Sequence, residues 1–430
     1  MNWSTLSGRL IAATIITVAI FSACSSPAVT GMKVHMQNGE YEETIHLADS
    51  VIANGEGQNM EVWLWRGRAQ ANLNDWVGAS ESFIQVNQLD PTVDLTEYWF
   101  AFYNGGVTLL DEDDTAGGIE LLNTGARIMP AIPNFDLMLG DIELNINGDF
   151  DAALVRFLSA GEKGLLHIDE LEATIDETED PYMLDYLYDV LGQTEMIAIQ
   201  GFFNSGSVLS MMAQDADEAE AADLRLQARQ AYEKALTIDS TNIDVLEAIA
   251  ESEMLEGNYE AAMLVFEEAF IQIDLGVTEG WLDPEEADML IANIMVSQGF
   301  AFIEMEQFDR AITELTAARD LIGDDFLVLA TLAHAEFMVE DYQAALDHLE
   351  AALLIEGLDA QDLASAYHMK FASYSRLEMD AEAAVALETA LEFAPENARY
   401  WELLASTYSR LGRRNDAINA MQKAEDLGGI

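Results

Sequence analysis

The fold is decided at the end of the chain, by ARYWELLASTYSRLGRRNDAINAMQKAEDLGGI, residues 398–430. Trp401, Leu404, Ala405 and Tyr408 recur at i, i+3, i+4 and i+7, the spacing that lines up one face of a helix. Ala417, Met421 and Ala424 form a second such row further along. The same phrases return upstream. Tyr367, Phe371, Tyr374, Ala383, Leu387, Ala390 and Pro395 fall in register 34 residues earlier. EQFDRAITELTAA (306–318) and EDYQAALDHLEAA (340–352) are one phrase written twice, and EGNYEAAMLVFEEA (256–269) and NGDFDAALVRFLSA (147–160) are further copies. Trp63, Gly67, Ala79, Phe83 and Pro91 make a close match near the start, Gly106, Leu122 and Pro130 a looser one, and NGEYEETIHLA (38–48) opens the series.

These spacings resemble the tetratricopeptide repeat, a helix–turn–helix unit of about 34 residues. The resemblance implies an all-α superhelical solenoid of about eight to ten units. One such unit cannot bury its own apolar face, whereas a stack can. Small residues at Gly67, Ala262, Ala405 and Ala417 let paired helices approach to about 8–10 Å. The expected organisation is a signal segment over 1–23, an N-terminal array over 24–165, an irregular helical middle over 166–227 and a C-terminal array over 228–430. In the middle, Asp176 to Pro181 reads as an acidic loop and Tyr182 to Leu191 as a helix. A second helix from Thr194 to Met212 is expected to break or bend near Gly201 and Gly206.

Ahead of the array, Arg9 precedes an apolar run from Leu10 to Ala23. That run is shorter than the about 20 residues that span a bilayer, and it reads as an export signal. Phe21-Ser22-Ala23-Cys24 resembles the bacterial lipobox, and Cys24 is the one cysteine of the chain. The resemblance implies lipid attachment at Cys24; the alternative is a plain signal peptide. Ser25, where inner-membrane lipoproteins resemble one another in carrying Asp, points to the outer membrane.

Charge narrows the function. The 430 residues hold 78 acidic side chains against 19 Lys and Arg, a net charge of −59, and only five of the basic residues are Lys. Half the residues are hydrophobic, which excludes a disordered acidic chain. Phosphate contacts need a basic face, so nucleic-acid partners are excluded. An acidic, lysine-poor surface resembles proteins of salt-loving organisms. The alternative, a calcium-binding surface, finds no loop in EF-hand ligand order. No nucleophile elbow, phosphate loop, metalloprotease helix or paired-cysteine motif occurs. His334 and His348 lack converging donors, and no metal, cofactor or catalytic residue is expected.

In the resembled family the first helix of each unit faces the concave side. Arg376 and Arg410 stand 34 residues apart, and Arg399 precedes Arg410 by eleven, which is three helical turns and roughly 16 Å. The three arginines are therefore expected to form a clamp for an acidic peptide or a terminal carboxylate. The alternative is a capping repeat whose arginines pair with Glu402, Glu378 or nearby acids. At the other end, in WLWRGR (63–68), Leu64 and Arg68 are expected to face the groove and Trp63 to pack inside. The expected function is a non-catalytic, lipid-tethered scaffold that holds protein or peptide segments during envelope assembly or secretion. The alternative is a substrate-capture lipoprotein that partners an outer-membrane transporter.

Overall fold

The computed structural model describes residues 26–429; the signal segment and Cys24 lie outside the described residues. Twenty α-helices form among them, and no strand. They divide into two compact units, residues 1–239 and 240–430. The first holds α1 (Pro27–Gln37), α2 (Tyr41–Val51), α3 (Met60–Asn72), α4 (Trp76–Leu89), α5 (Trp99–Asp111), α6 (Thr115–Ile128), α7 (Pro133–Ile142), α8 (Phe150–Asp176), α9 (Pro181–Asp215) and α10 (Glu218–Ile238). The second holds α11 (Ile243–Leu255), α12 (Tyr259–Glu279), α13 (Pro284–Glu304), α14 (Phe308–Ile322), α15 (Phe326–Met338), α16 (Tyr342–Ala352), α17 (Ala360–Arg376), α18 (Asp380–Phe393), α19 (Ala398–Arg410) and α20 (Arg414–Asp426). Odd and even helices pair as ten hairpins, and within each unit every hairpin packs on the next.

The hairpins share one turn. In nine of the ten, a single residue in the left-handed region reverses the chain: Gly39, Asn74, Asp113, Gly148, Gly257, Glu306, Glu340, Glu378 and Gly412. The following residue is the N-cap of the second helix. Where it is aspartate, as at Asp75, Asp114, Asp149 and Asp341, its carboxylate caps the helix by accepting a backbone N–H. Such a cap contributes about 1 kcal/mol. Prolines open α1, α7, α9 and α13, where a missing N–H costs nothing.

The core is a ladder of phenylalanines. Phe83, Phe102, Phe135, Phe157, Phe202, Phe266 and Phe302 are all fully buried. Several sit against a glycine of the paired or neighbouring helix: a Cβ on Gly67 would lie 2.8 Å from the Phe83 ring, and one on Gly140 2.6 Å from the Phe157 ring.

The middle of the chain departs from expectation. The helix beginning at Pro181 does not end near Leu191 or break at Gly201; it runs 35 residues to Asp215, beside the 27 residues of α8. The glycines serve packing rather than breakage. A Cβ on Gly201 would fall 2.5 Å from the Gly161 backbone nitrogen, and one on Gly164 2.6 Å from the Ala198 Cβ. Gly161, Gly164, Ala198 and Gly201 thus form the close crossing of α8 and α9, which larger side chains would force apart.

Candidate functional site

The first helices of the C-terminal unit, α11, α13, α15, α17 and α19, supply the candidate site. Counting back from the left-handed turn puts their residues in register. Thirteen residues ahead of it stand Asp244, Asn293, Leu327, Ser365 and Arg399; ten ahead, Glu247, Val296, Ala330, His368 and Glu402. Six ahead stand Glu251, Phe300, His334, Ala372 and Ser406; two ahead, Leu255, Glu304, Met338, Arg376 and Arg410. Contacts join these helices: α11 touches α13, α13 touches α15, and α15 touches α17. His368 of α17 stacks on Tyr400 of α19 with ring centroids 4.7 Å apart.

The face is graded. At α11 it is acidic, through Asp244, Glu247 and Glu251. Burial first, then the charges of Asp244 and Glu251, pushes the Glu247 carboxyl up to about 7. Its Oε1 is shut off from solvent, without a hydrogen-bond partner among the described residues. Burial also raises Glu251. In the middle the face is apolar, with Phe300, Leu327 and Met338 all exposed. His334 and His368 follow. Burial lowers the pKa of His334 against the opposing charge of Glu304. Burial, then the charge of Arg399, lowers that of His368. The last two helices bring the arginines.

The three arginines are differently occupied. Arg376 lies over the Phe337 ring, 5.8 Å from its centroid, and makes no ion pair among the described residues. Arg399 is 70% exposed and its Nη1 donates to Glu402 at 2.8 Å. Arg410 donates from Nε to Asp380 at 2.7 Å and from Nη2 to the Thr407 hydroxyl at 3.3 Å. Two of the three guanidinium groups therefore already hold a carboxylate of this chain. An incoming carboxylate meets Arg376 unpaired, and meets Arg399 on its solvent side.

In the N-terminal unit, Leu64 is half-buried against the core. Arg68 donates to the Tyr98 hydroxyl and to Glu97, and stacks over Trp65 at 4.7 Å. Lys33 lies over the same indole at 5.7 Å and bonds Glu61 at 3.1 Å. Trp63 donates its indole N–H to the Gly57 carbonyl at 2.9 Å. A network that the repeat pattern did not disclose lies on α7 and α8. Asp136 is 3% exposed and accepts from Arg156 at 2.8 Å, from Ser159 at 2.9 Å and from Lys163. Burial alone would raise its pKa; the hydrogen bonds from Lys163, Arg156 and Ser159 outweigh that and hold it below the usual carboxylate range. Its one sequence signal is the presence of two cations, Arg156 and Lys163, about two turns apart on one helical face in a chain poor in basic residues.

Among the described residues no three His, Cys, Asp or Glu side chains converge as a metal site. The aromatic and small residues that the sequence spaces as a repeat, Trp401, Leu404, Ala405, Tyr408 and Ala417, are those that pack α19 and α20 together. Residues 398–427 match the tetratricopeptide repeat family. Among solved structures, a tetratricopeptide repeat protein from Parabacteroides merdae is similar at 15% identity and a TM-score of 0.46, over 72% of this chain and 98% of that one. MamA from Desulfovibrio magneticus RS-1 is similar at 19% identity and a TM-score of 0.35, over 43% and 94%. A chain of the APC/C hetero-tetramer Cut9–Hcn1 is similar at 14% identity and a TM-score of 0.39, over 92% of each. No curated protein matches the sequence.

Proposed function

We propose that the protein is a non-catalytic scaffold, exported and lipid-tethered at Cys24 to the outer membrane. In this reading its first-helix faces hold extended segments of partner proteins during envelope assembly or secretion. Stacked tetratricopeptide hairpins create extended surfaces suited to protein segments. The observation that carries the reading is the graded face of α11 to α19. It runs from the Asp244–Glu247–Glu251 end, across exposed Phe300, Leu327 and Met338, to His368, Arg376 and Arg399. Apolar anchors between charged ends of opposite sign hold a segment in place and set its direction, since charge complementarity suppresses the reversed orientation.

Replacing Arg376, Arg399 and Arg410 together with glutamate tests the reading. Proteins that co-purify with the native chain in mild detergent are expected to be lost while the circular dichroism stays unchanged. Their retention in the folded variant would overturn the role of the face, and recovery of a transporter barrel with bound glycan would move the assignment to substrate capture. Cys24→Ser is expected to shift the protein from membranes to the soluble fraction; continued membrane residence would remove the tether.

A further inference from the structure

A second surface, which adjoins the first-helix face at Ser406, lies on the last hairpin. In the C-terminal unit the second helix of each hairpin carries an apolar row five, six and nine residues after the left-handed turn. The row is Ala311, Ile312 and Leu315 in α14, Ala345, Leu346 and Leu349 in α16, and Ala383, Ala384 and Leu387 in α18. In α20 it is Ala417, Ile418 and Met421. The first three rows are covered by the next first helix. Leu315 packs with Val328 and Leu332 of α15, Leu349 with Ala366 of α17, and Leu387 with Leu404 and Ala405 of α19. Leu315, Leu349 and Leu387 are each 0% exposed, whereas their counterpart Met421 is 40% exposed. Ile418 is 62% exposed where Leu346 and Ala384 are 3% and 1% and Ile312 is partly buried. Around Ile418 and Met421 lies an open hollow of about 320 Å³, walled by Ser406 and Ser409 of α19 and by Arg414.

Shape and charge define what fits. At the equivalent places in α14, α16 and α18 the occupant is an α-helix, which offers Val328 and Leu332, Ala366 and Met369, and Leu404 and Ala405 in turn. The charge is particular to α20. Its first residue is Arg414, where the other rows begin with Phe308, Tyr342 and Asp380. Neighbouring Arg413 is held by Asp416 at 2.7 Å and Glu388 at 3.4 Å. Arg414 makes no ion pair among the described residues, in a chain with 78 acidic side chains. We propose that this end of the C-terminal unit docks an amphipathic α-helix of a partner protein, its apolar face on Ile418 and Met421 and a carboxylate on Arg414.

The probe is a synthetic helical peptide with the apolar spacing of Trp401, Leu404, Ala405 and Tyr408 and glutamates at its outer positions, titrated into the full chain by fluorescence anisotropy. Saturable binding is expected. It should weaken about tenfold in Ile418→Asp, in Arg414→Glu, and when the peptide's glutamates become lysines. Ile418 and Arg414 are exposed, so both variants should keep the circular dichroism of the native chain. Failure of the peptide to bind, or binding unchanged by Ile418→Asp, would overturn the proposal. A dimer in sedimentation that Ile418→Asp dissolves would also overturn it, by assigning the surface to a second copy of this chain.

Discussion

His368 lies almost flat on Tyr400, planes 18° apart, and so couples α17 to α19 across the candidate face. The stack removes the imidazole from water and brings Arg399 close. Both disfavour the protonated ring, burial being the larger effect. His368 is therefore expected to titrate below 6.5, and Arg399→Gln to raise its pKa. Because the folded-state value is the depressed one, the stability it confers is complete above the unfolded value of about 6.5 and is lost as pH falls toward the folded value. An NMR titration of the histidine ring protons measures this directly. A His368 that titrates at or above 6.5 would contradict the packing described for the face.

Three hairpin turns place glutamate in a conformation that glycine adopts freely. Glu306, Glu340 and Glu378 have φ of 58°, 66° and 59°. The left-handed region costs a side-chain-bearing residue roughly 1–2 kcal/mol, partly offset by glycine's larger unfolded-state entropy. Each Glu→Gly change is expected to stabilise its unit by about 0.5 kcal/mol, and Gly412→Ala to destabilise by about 1 kcal/mol. Denaturant midpoints of the four variants give the comparison.

Two glycines of one helix are expected to respond in opposite directions. A Cβ on Gly192 would meet nothing within 4 Å, while one on Gly201 meets the backbone of Gly161 at 2.5 Å. Gly192→Ala is expected to stabilise by about 0.5–1 kcal/mol through helix propensity. Gly201→Ala forces α8 and α9 apart and is expected to destabilise by about 1–3 kcal/mol. Thermal melts of the two variants decide it; equal effects would contradict the close crossing.

Asp136→Ala removes the acceptor shared by Arg156, Ser159 and Lys163. Both cations are about one-third exposed and regain water, so the loss is expected at about 2–3 kcal/mol, less than for a fully buried pair. The Asp136 carboxyl is depressed in the folded state, so its contribution is present above the unfolded value and is lost as pH falls through the folded value. A urea series across the acid range should show native stability falling toward that of Asp136→Ala.

The hairpins were legible because their packing repeats: Trp401, Leu404, Ala405 and Tyr408 must meet Ala417 and its neighbours in the same geometry as their counterparts 34 residues earlier. The middle was less so. Gly201 and Gly206 read as helix breakers from propensity alone, yet they sit inside one long helix because close approach to the Gly161 backbone and the Tyr232 ring outweighs their intrinsic cost. The glutamates at the turns carry no turn signature, since only the fixed hairpin geometry drives them left-handed. For the arginines, spacing set the helical register and offered Glu402 as one partner, but it did not single out Asp380. Arg399 finds Glu402 one turn away and Arg410 finds Asp380 on α18, choices that depend on side-chain rotamers. The acidic end at Glu247 is hidden among 78 acidic residues, since only the shared left-handed turn brings it into register with the other first helices.

The most direct test of the central claim is photo-crosslinking in the native host from single positions on the two faces of the C-terminal unit. A photoreactive residue at Ser365 or Ala372, on the first-helix face, is expected to capture a discrete partner protein. The same residue at Leu264, which is 68% exposed on α12, is expected to capture none. Equal capture from both faces, or capture from Leu264 alone, would contradict the assignment of the first-helix face as the partner-binding surface.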